Sequence, residues 1–291
     1  MDDNGMNPVE NDGGKAPTNT ASTSEASAAT TMATDVRQRY PLPPDEQRAI
    51  TQQLVVCDIL LIVAGLLLAC VASLIQANIH GQPWHADAMM TQMLAALTPH
   101  WIVASLPIAL VLWSVLWEAV GRSHSSYLQA RQRQRSGIRG EMPRLPFGVM
   151  LPLMVLAGVS EELLFRYGLQ SLLTQMLSWI VGSESRDGWP GQGAAVVVTA
   201  LAFWYAHEQC RDFWNAAYVI IIGLILGSTF AITGNLLAIV CAHIVYNIVD
   251  VLRDRRAMLR EDDYFQGDAP CDVVLRTRRE MLLKEQAREG I

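Results

Sequence analysis

Gly158-Val-Ser-Glu-Glu-Leu-Leu-Phe-Arg-Tyr-Gly168 places Glu161, Glu162 and Arg166 inside a run that carries no other charge between positions 147 and 180. Ionisable groups at membrane depth are costly, so they default to a functional reading. At helical spacing Glu162 and Arg166 stand four residues apart and stack on one face, where they can pair. Glu161 points about 100° away around the same helix and can meet a different neighbour. The stretch alone leaves two readings open. One is a structural ion pair that holds a buried helix in register; the other is a division of labour, with one carboxylate neutralised by Arg166 and the other free for chemistry.

The surrounding composition is that of a polytopic, all-α membrane protein. The chain has 291 residues, 51% of them apolar, and a net charge of −6. No basic stripe of the kind that binds nucleic acid is present, so no nucleic-acid partner is expected. Apolar runs at 54–79, 98–120, 147–180, 194–210, 213–232 and 236–252 read as about six transmembrane helices. The run at 147–180 is too long for one straight span, so a tilted or broken helix, bent near Gly158, is expected.

Around this core the chain divides into four parts. Residues 1–46 are polar and small, a composition that predicts a disordered N-terminal tail. Residues 47–146 hold two spans and a basic loop, and residues 147–252 hold the remaining spans. Residues 253–291 form a charged C-terminal tail. The loop with Arg122, Arg131, Arg133, Arg135, Arg139 and Arg144 faces a single Glu141, which places it in the cytoplasm by the positive-inside rule. Arg37, Arg39 and Arg48 before the first span, and Arg253, Arg255, Arg256 and Arg260 after the last, predict cytoplasmic termini in the plasma membrane. Cys57, Cys70, Cys210, Cys241 and Cys271 have no framework spacing and read as reduced thiols.

Three further polar residues interrupt apolar spans. Phe203-Trp-Tyr-Ala-His207 puts Phe203 and His207 on one helical face, and His243-Ile-Val-Tyr-Asn247 does the same for His243 and Asn247. Each such group needs a partner in hydrocarbon, and the economical solution is that they face one another. The order Glu161-Glu162-x-x-x-Arg166, Phe203-x-x-x-His207, His243-x-x-x-Asn247 on successive helices resembles the CPBP intramembrane proteases. That family includes the type II CAAX prenyl endopeptidases and the abortive-infection proteins. The likeness extends to the spacer Gly223-Leu-Ile-Leu-Gly227 and the turn Thr233-Gly234-Asn235-Leu236; Tyr167 departs from the glycine common after the arginine.

The resemblance implies an endopeptidase that cuts a peptide or protein substrate within or beside the bilayer. Carried onto this chain, Glu161 would be the base that activates water, assisted by His207. His243 and Asn247 would hold that water or a metal, or stabilise the oxyanion, and Glu162 with Arg166 would form the supporting pair. Glu161, His207 and His243 admit a three-ligand Zn2+ site, and a metal-free glutamate–histidine mechanism fits the same residues. Two other classes stay open: a non-catalytic membrane immunity or regulatory protein with the same architecture, and a small transporter using the charges as an ion relay. Placing His207 within about a turn of its helix end, and Glu161 about 20 Å from Phe147 at 1.5 Å per residue, predicts a site that opens toward the cytoplasm.

Overall fold

Residues 41–79, 81–98, 101–134, 138–181, 189–207 and 212–260 are described by the computed structural model, and every regular element among them is helical. The sequence features assigned to residues 1–40, 208–211 and 261–291, Cys210 and Cys271 included, lie outside these described residues. The helices are α1 (Pro44–Ile79), α2 (Ala86–Ala96), α3 (Ile102–Gly121), α4 (Ser125–Gln134), α5 (Phe147–Glu162), α6 (Ser171–Val181), α7 (Trp189–Ala206), α8 (Phe213–Thr233) and α9 (Leu236–Arg260). A π-helical stretch, Leu163–Gln170, joins α5 to α6 without a break, and short turns at Ile138–Glu141 and Met142–Arg144 precede α5.

Five stretches are long and apolar enough to cross a membrane: Pro44–Ile79, Ile102–Gly121, Phe147–Leu177, Phe213–Thr233 and Leu236–Leu259. Only 17% of the most apolar part of α1 is buried inside the protein; Leu60 and Leu67, both more than 60% exposed, face outward as lipid-facing residues do. The chain is an integral membrane protein. The remaining expected span corresponds to α7, whose 18 residues begin with the polar turn Trp189-Pro-Gly-Gln-Gly. That turn dilutes the apolar run and keeps α7 outside the group of five.

Contacts fix the direction of the main helices. Asp58 lies beside Ser160 and Gly65 beside Leu163, so α1 and α5 run the same way, and Arg166 and Gln170 meet Gly223 and Gly227, so α8 joins them. Asn235 bonds to Thr98 and Arg253 to Ser114, so α3 and α9 run together in the opposite sense. Leu42, Leu145, Met150 and Val251 close one apolar cluster, and the Leu42 amide donates to the Arg144 carbonyl at 3.3 Å. The first and last described helices therefore have their outer ends on the same side.

Local signals explain most boundaries. Pro44 opens α1, where its missing amide hydrogen costs nothing, and Asp45 and Glu46 complement the positive helix end. Asp212 caps α8 through the Asn215 amide at 3.1 Å. Between α8 and α9, Gly234 takes φ 61°, a left-handed backbone that suits glycine, and Asn235 accepts from the Ala238 amide at 2.8 Å. Two elements depart from expectation. The basic loop contains α4, which buries Tyr127 and Ala130. The long helix is regular at Gly158 and changes winding five residues later. Gly158 instead makes room for α9, where an added Cβ would lie 2.7 Å from the Ile244 side chain.

Candidate active site

The site grows from the change of winding after Glu162. In a π-helix the backbone bonds reach one residue further than in an α-helix, and such turns are frequent at functional sites. Here the Ser171 amide donates to the Arg166 carbonyl. The neighbour that presses on this turn is α1: a Cβ at Gly65 would lie 2.7 Å from the Leu163 carbonyl carbon, and one at Gly168 would lie 2.6 Å from the Gly65 oxygen. Only glycines allow two backbones to approach this closely. The result is that Glu162 and Arg166 are both fully buried.

Arg166 is held from three directions. Its Nε lies 3.4 Å from Glu162 Oε2, its Nη2 donates to the Gly223 carbonyl at 3.3 Å, and its guanidinium stacks on the Phe203 ring at 4.7 Å. One turn on, Gln170 donates to the Gly227 carbonyl at 2.9 Å, and the Thr199 hydroxyl lies 3.5 Å from Gln170 Oε1. The Gly223-x-x-x-Gly227 spacing thus makes the expected close helix contact, with Ala200 at 3.1 Å from a Cβ on Gly223. It also presents two backbone acceptors to side chains of the π turn.

Both histidines converge on this turn. His243, 4% exposed, has its Nδ1 2.6 Å from Glu162 Oε1. An ionised carboxylate can only accept, so in the neutral ring Nδ1 carries the hydrogen and Nε2 keeps its lone pair. His207 has its Nδ1 2.7 Å from the Phe203 carbonyl, which likewise can only accept. Its Nε2 is left with a lone pair too. These two Nε2 atoms lie 3.6 Å (His243) and 3.9 Å (His207) from Glu161 Oε2. Phe203 lines the floor between the rings, with centroids 4.5 Å from His207 and 6.0 Å from His243.

Three electron-rich atoms therefore surround one point, and Glu161 Oε2 is buried without a hydrogen-bond partner. Something electron-poor has to sit among them: a proton on an imidazole, the hydrogens of a water, or a cation. The donor set of two imidazoles and a carboxylate is that of a catalytic zinc site, and Glu162 on the far nitrogen of His243 is the usual outer partner of a metal-binding histidine. At the present spacing no group of three or more His, Cys, Asp or Glu among the described residues is closed around an ion. The residues fit a metal in chemistry and would have to draw together to hold one. Glu161 and His207 keep side-chain exposures of 21% and 29%, while Glu161 Oε2 itself is turned inward and buried.

The structure thus brings together Glu161, Glu162, Arg166, His207 and His243. Asn247 stands one turn beyond His243 on α9, half-buried, and among the described residues it makes no hydrogen bond to the other five. Sequence reasoning missed Asp58, which lies within the first apolar run at 54–79. It is 7% exposed and accepts from the Ser160 hydroxyl at 2.7 Å, directly behind Glu161. The available signal was the residue itself, an aspartate at the depth of an apolar helix.

Residues 143–249 match the family described as Type II CAAX prenyl endopeptidase Rce1-like. No curated protein and no solved structure matches the chain. The matched stretch contains the π turn, both histidine helices and the Gly223–Gly227 ladder, and it leaves α1 outside. Residues 143–249 are thus similar to a Rce1-like domain, in agreement with the resemblance carried by the glutamate, histidine and asparagine spacings.

Proposed function

We propose that the protein is a membrane-embedded endopeptidase that hydrolyses a peptide bond of a membrane-associated peptide or protein through water activated at Glu161. The observation that carries this reading is the unpartnered Glu161 Oε2 facing two histidine Nε2 atoms at 3.6 and 3.9 Å, in a partly open site. A water among these atoms would donate one hydrogen to Glu161, which takes the proton as the hydroxyl attacks the scissile carbonyl. His207, the more exposed imidazole, is placed to receive that proton and pass it to the leaving amine. His243, anchored by Glu162, fixes the water from the buried side. Arg166 balances the Glu162 charge at 3.4 Å. Asn247 would serve the oxyanion once substrate draws α9 closer.

If Zn2+ binds, Glu161, His207 and His243 would hold it, and it would supply Lewis acidity and a more acidic water. Metal content of the purified chain, with and without His243→Ala, separates that arrangement from the metal-free one. We place both termini in the cytoplasm and the protein in the plasma membrane, as the arginine distribution suggests; reporter fusions at each end test this.

The defining experiment reconstitutes the full chain in liposomes with a quenched peptide ending in an S-farnesylated C-a-a-X box, alongside its unprenylated counterpart. Cleavage by the wild type that disappears in Glu161→Gln supports the reading. Equal cleavage by both proteins overturns the role of Glu161. Absence of cleavage by the wild type, together with identical membrane proteomes in cells carrying wild type or Glu161→Ala, overturns the protease reading.

A further inference from the structure

We infer that Asp58 on α1 is a positioning residue for Glu161, acting through Ser160, so that a helix outside the Rce1-like stretch completes the site; this rests on the protease reading above. Asp58 and Ser160 are 7% and 0% exposed, and their 2.7 Å hydrogen bond links positions 102 residues apart. Ser160 immediately precedes Glu161, so whatever holds the Ser160 side chain also sets the rotation of the helix at the base.

The bond is not explained by the needs of Ser160. Its hydroxyl also lies 3.0 Å from the Ala157 carbonyl, and that backbone acceptor alone would satisfy it. An aspartate in an apolar helix is costly, and an alanine would leave Ser160 with its backbone partner. What Asp58 adds is a fixed acceptor on a different helix, which resists rotation of α5 about its own axis.

The rest of the α1 face serves the same contact. Gly65, two turns after Asp58, lies against the Leu163 and Leu164 backbone, and Ala69 and Ala72 continue the buried face with small side chains. Gly65 sets how close α1 comes to the π turn; it offers no side chain that could set rotation. Asp58 is the one polar group among the buried residues of α1, and it engages the turn that carries Glu161. Ser160 and Glu161 stand in the last α-helical turn before the π stretch begins at Leu163, and a carboxylate misplaced by an ångström can lose about 10²-fold in rate.

The test uses the full chain in liposomes and the S-farnesylated quenched peptide, with Asp58→Asn, Asp58→Leu, Ser160→Ala and the pair Asp58→Leu/Ser160→Ala. Asp58→Asn keeps an acceptor for Ser160 and is expected to retain kcat within about threefold, whereas Asp58→Leu and Ser160→Ala lower kcat about tenfold or more with KM within about twofold. The double variant is expected to be no slower than the worse single one, because both remove the same link. Each protein is also scanned for thermal unfolding. A kcat that stays at the wild-type level in folded Asp58→Leu overturns the inference while leaving the protease reading intact. So does an Asp58→Asn as slow as Asp58→Leu, which would assign the role to charge rather than position. A wild type that does not cleave the peptide removes both together.

Discussion

Two clusters of charge sit in this helical domain, and they are finished differently. At the ends of α3, α4 and α9, Arg131 donates to Asp254 at 2.7 Å, Arg253 pairs with Glu118 and donates to Ser114 at 2.8 Å, and Asn215 donates to the Ala130 carbonyl at 2.9 Å. Around the π turn, by contrast, Glu161 Oε2, Glu162 Oε2, Arg166 Nε and Arg166 Nη1 are buried without a hydrogen-bond partner. The only other such atom among the described residues is Trp113 Nε1. Glu162 Oε2 and Arg166 Nε face each other as an ion pair at 3.4 Å; buried polar groups are nearly always satisfied, so Glu161 Oε2, set only against the two histidine Nε2 atoms, marks a place for water, substrate or an ion. The end cluster fastens helices; the turn cluster is held ready for a reaction.

The sharpest way to break this contrast is at Glu161. Glu161→Gln keeps shape and removes the base, and cleavage of the quenched peptide should fall by about 10³-fold while the thermal unfolding midpoint stays unchanged. Arg166→Leu should act on stability instead. It strands the fully buried Glu162 and is expected to cost about 3–5 kcal/mol, measured by denaturation in detergent. Replacing both partners, as Glu162→Leu/Arg166→Met, should recover only part of that stability and no activity, because it leaves the buried His243 Nδ1 without its acceptor. Gly65→Leu should cost about 1–3 kcal/mol by overpacking α1 against the π turn. The smallest effect belongs to the end cluster: Arg253→Gln should change stability by about 1 kcal/mol or less, since that pair is partly exposed, with cleavage within about twofold. A large rate loss in Arg253→Gln would erase the distinction between the clusters.

The legible part of this protein is what depends on spacing along one helix. Glu162 and Arg166 four residues apart, and Phe203 four before His207, are brought together as a helical ladder requires. What could not be read depends on rotation between helices. Nothing in the order Glu161-Glu162 says that His243 takes the second carboxylate by Nδ1 and offers Nε2 to the first. The change of winding at Leu163 was placed at Gly158 because glycine is the usual local cause of a bend, whereas the cause here is tertiary: α1 against the turn, and Arg166 drawn to Gly223. Asn247 shares a face with His243 as its spacing demands, yet a shared face does not ensure a shared partner. Helix α4 is hidden by the arginines of its loop, which read as a topology signal and mask the buried Tyr127 and Ala130 between Arg122 and Arg131.

Arg166 and Gln170 both grasp α8 by its peptide oxygens, at Gly223 and Gly227, and ignore the side chains in between. A grip on the spine is blind to the identity of Leu224 and Ile225, provided they remain apolar and of similar bulk. Point changes there should drift freely through generations, whereas inserting or deleting one residue between the glycines would leave at most one of the two grips in register. The tolerance of α8 is therefore to spelling and not to length, a pattern that mutational scanning with substitutions alone would overlook.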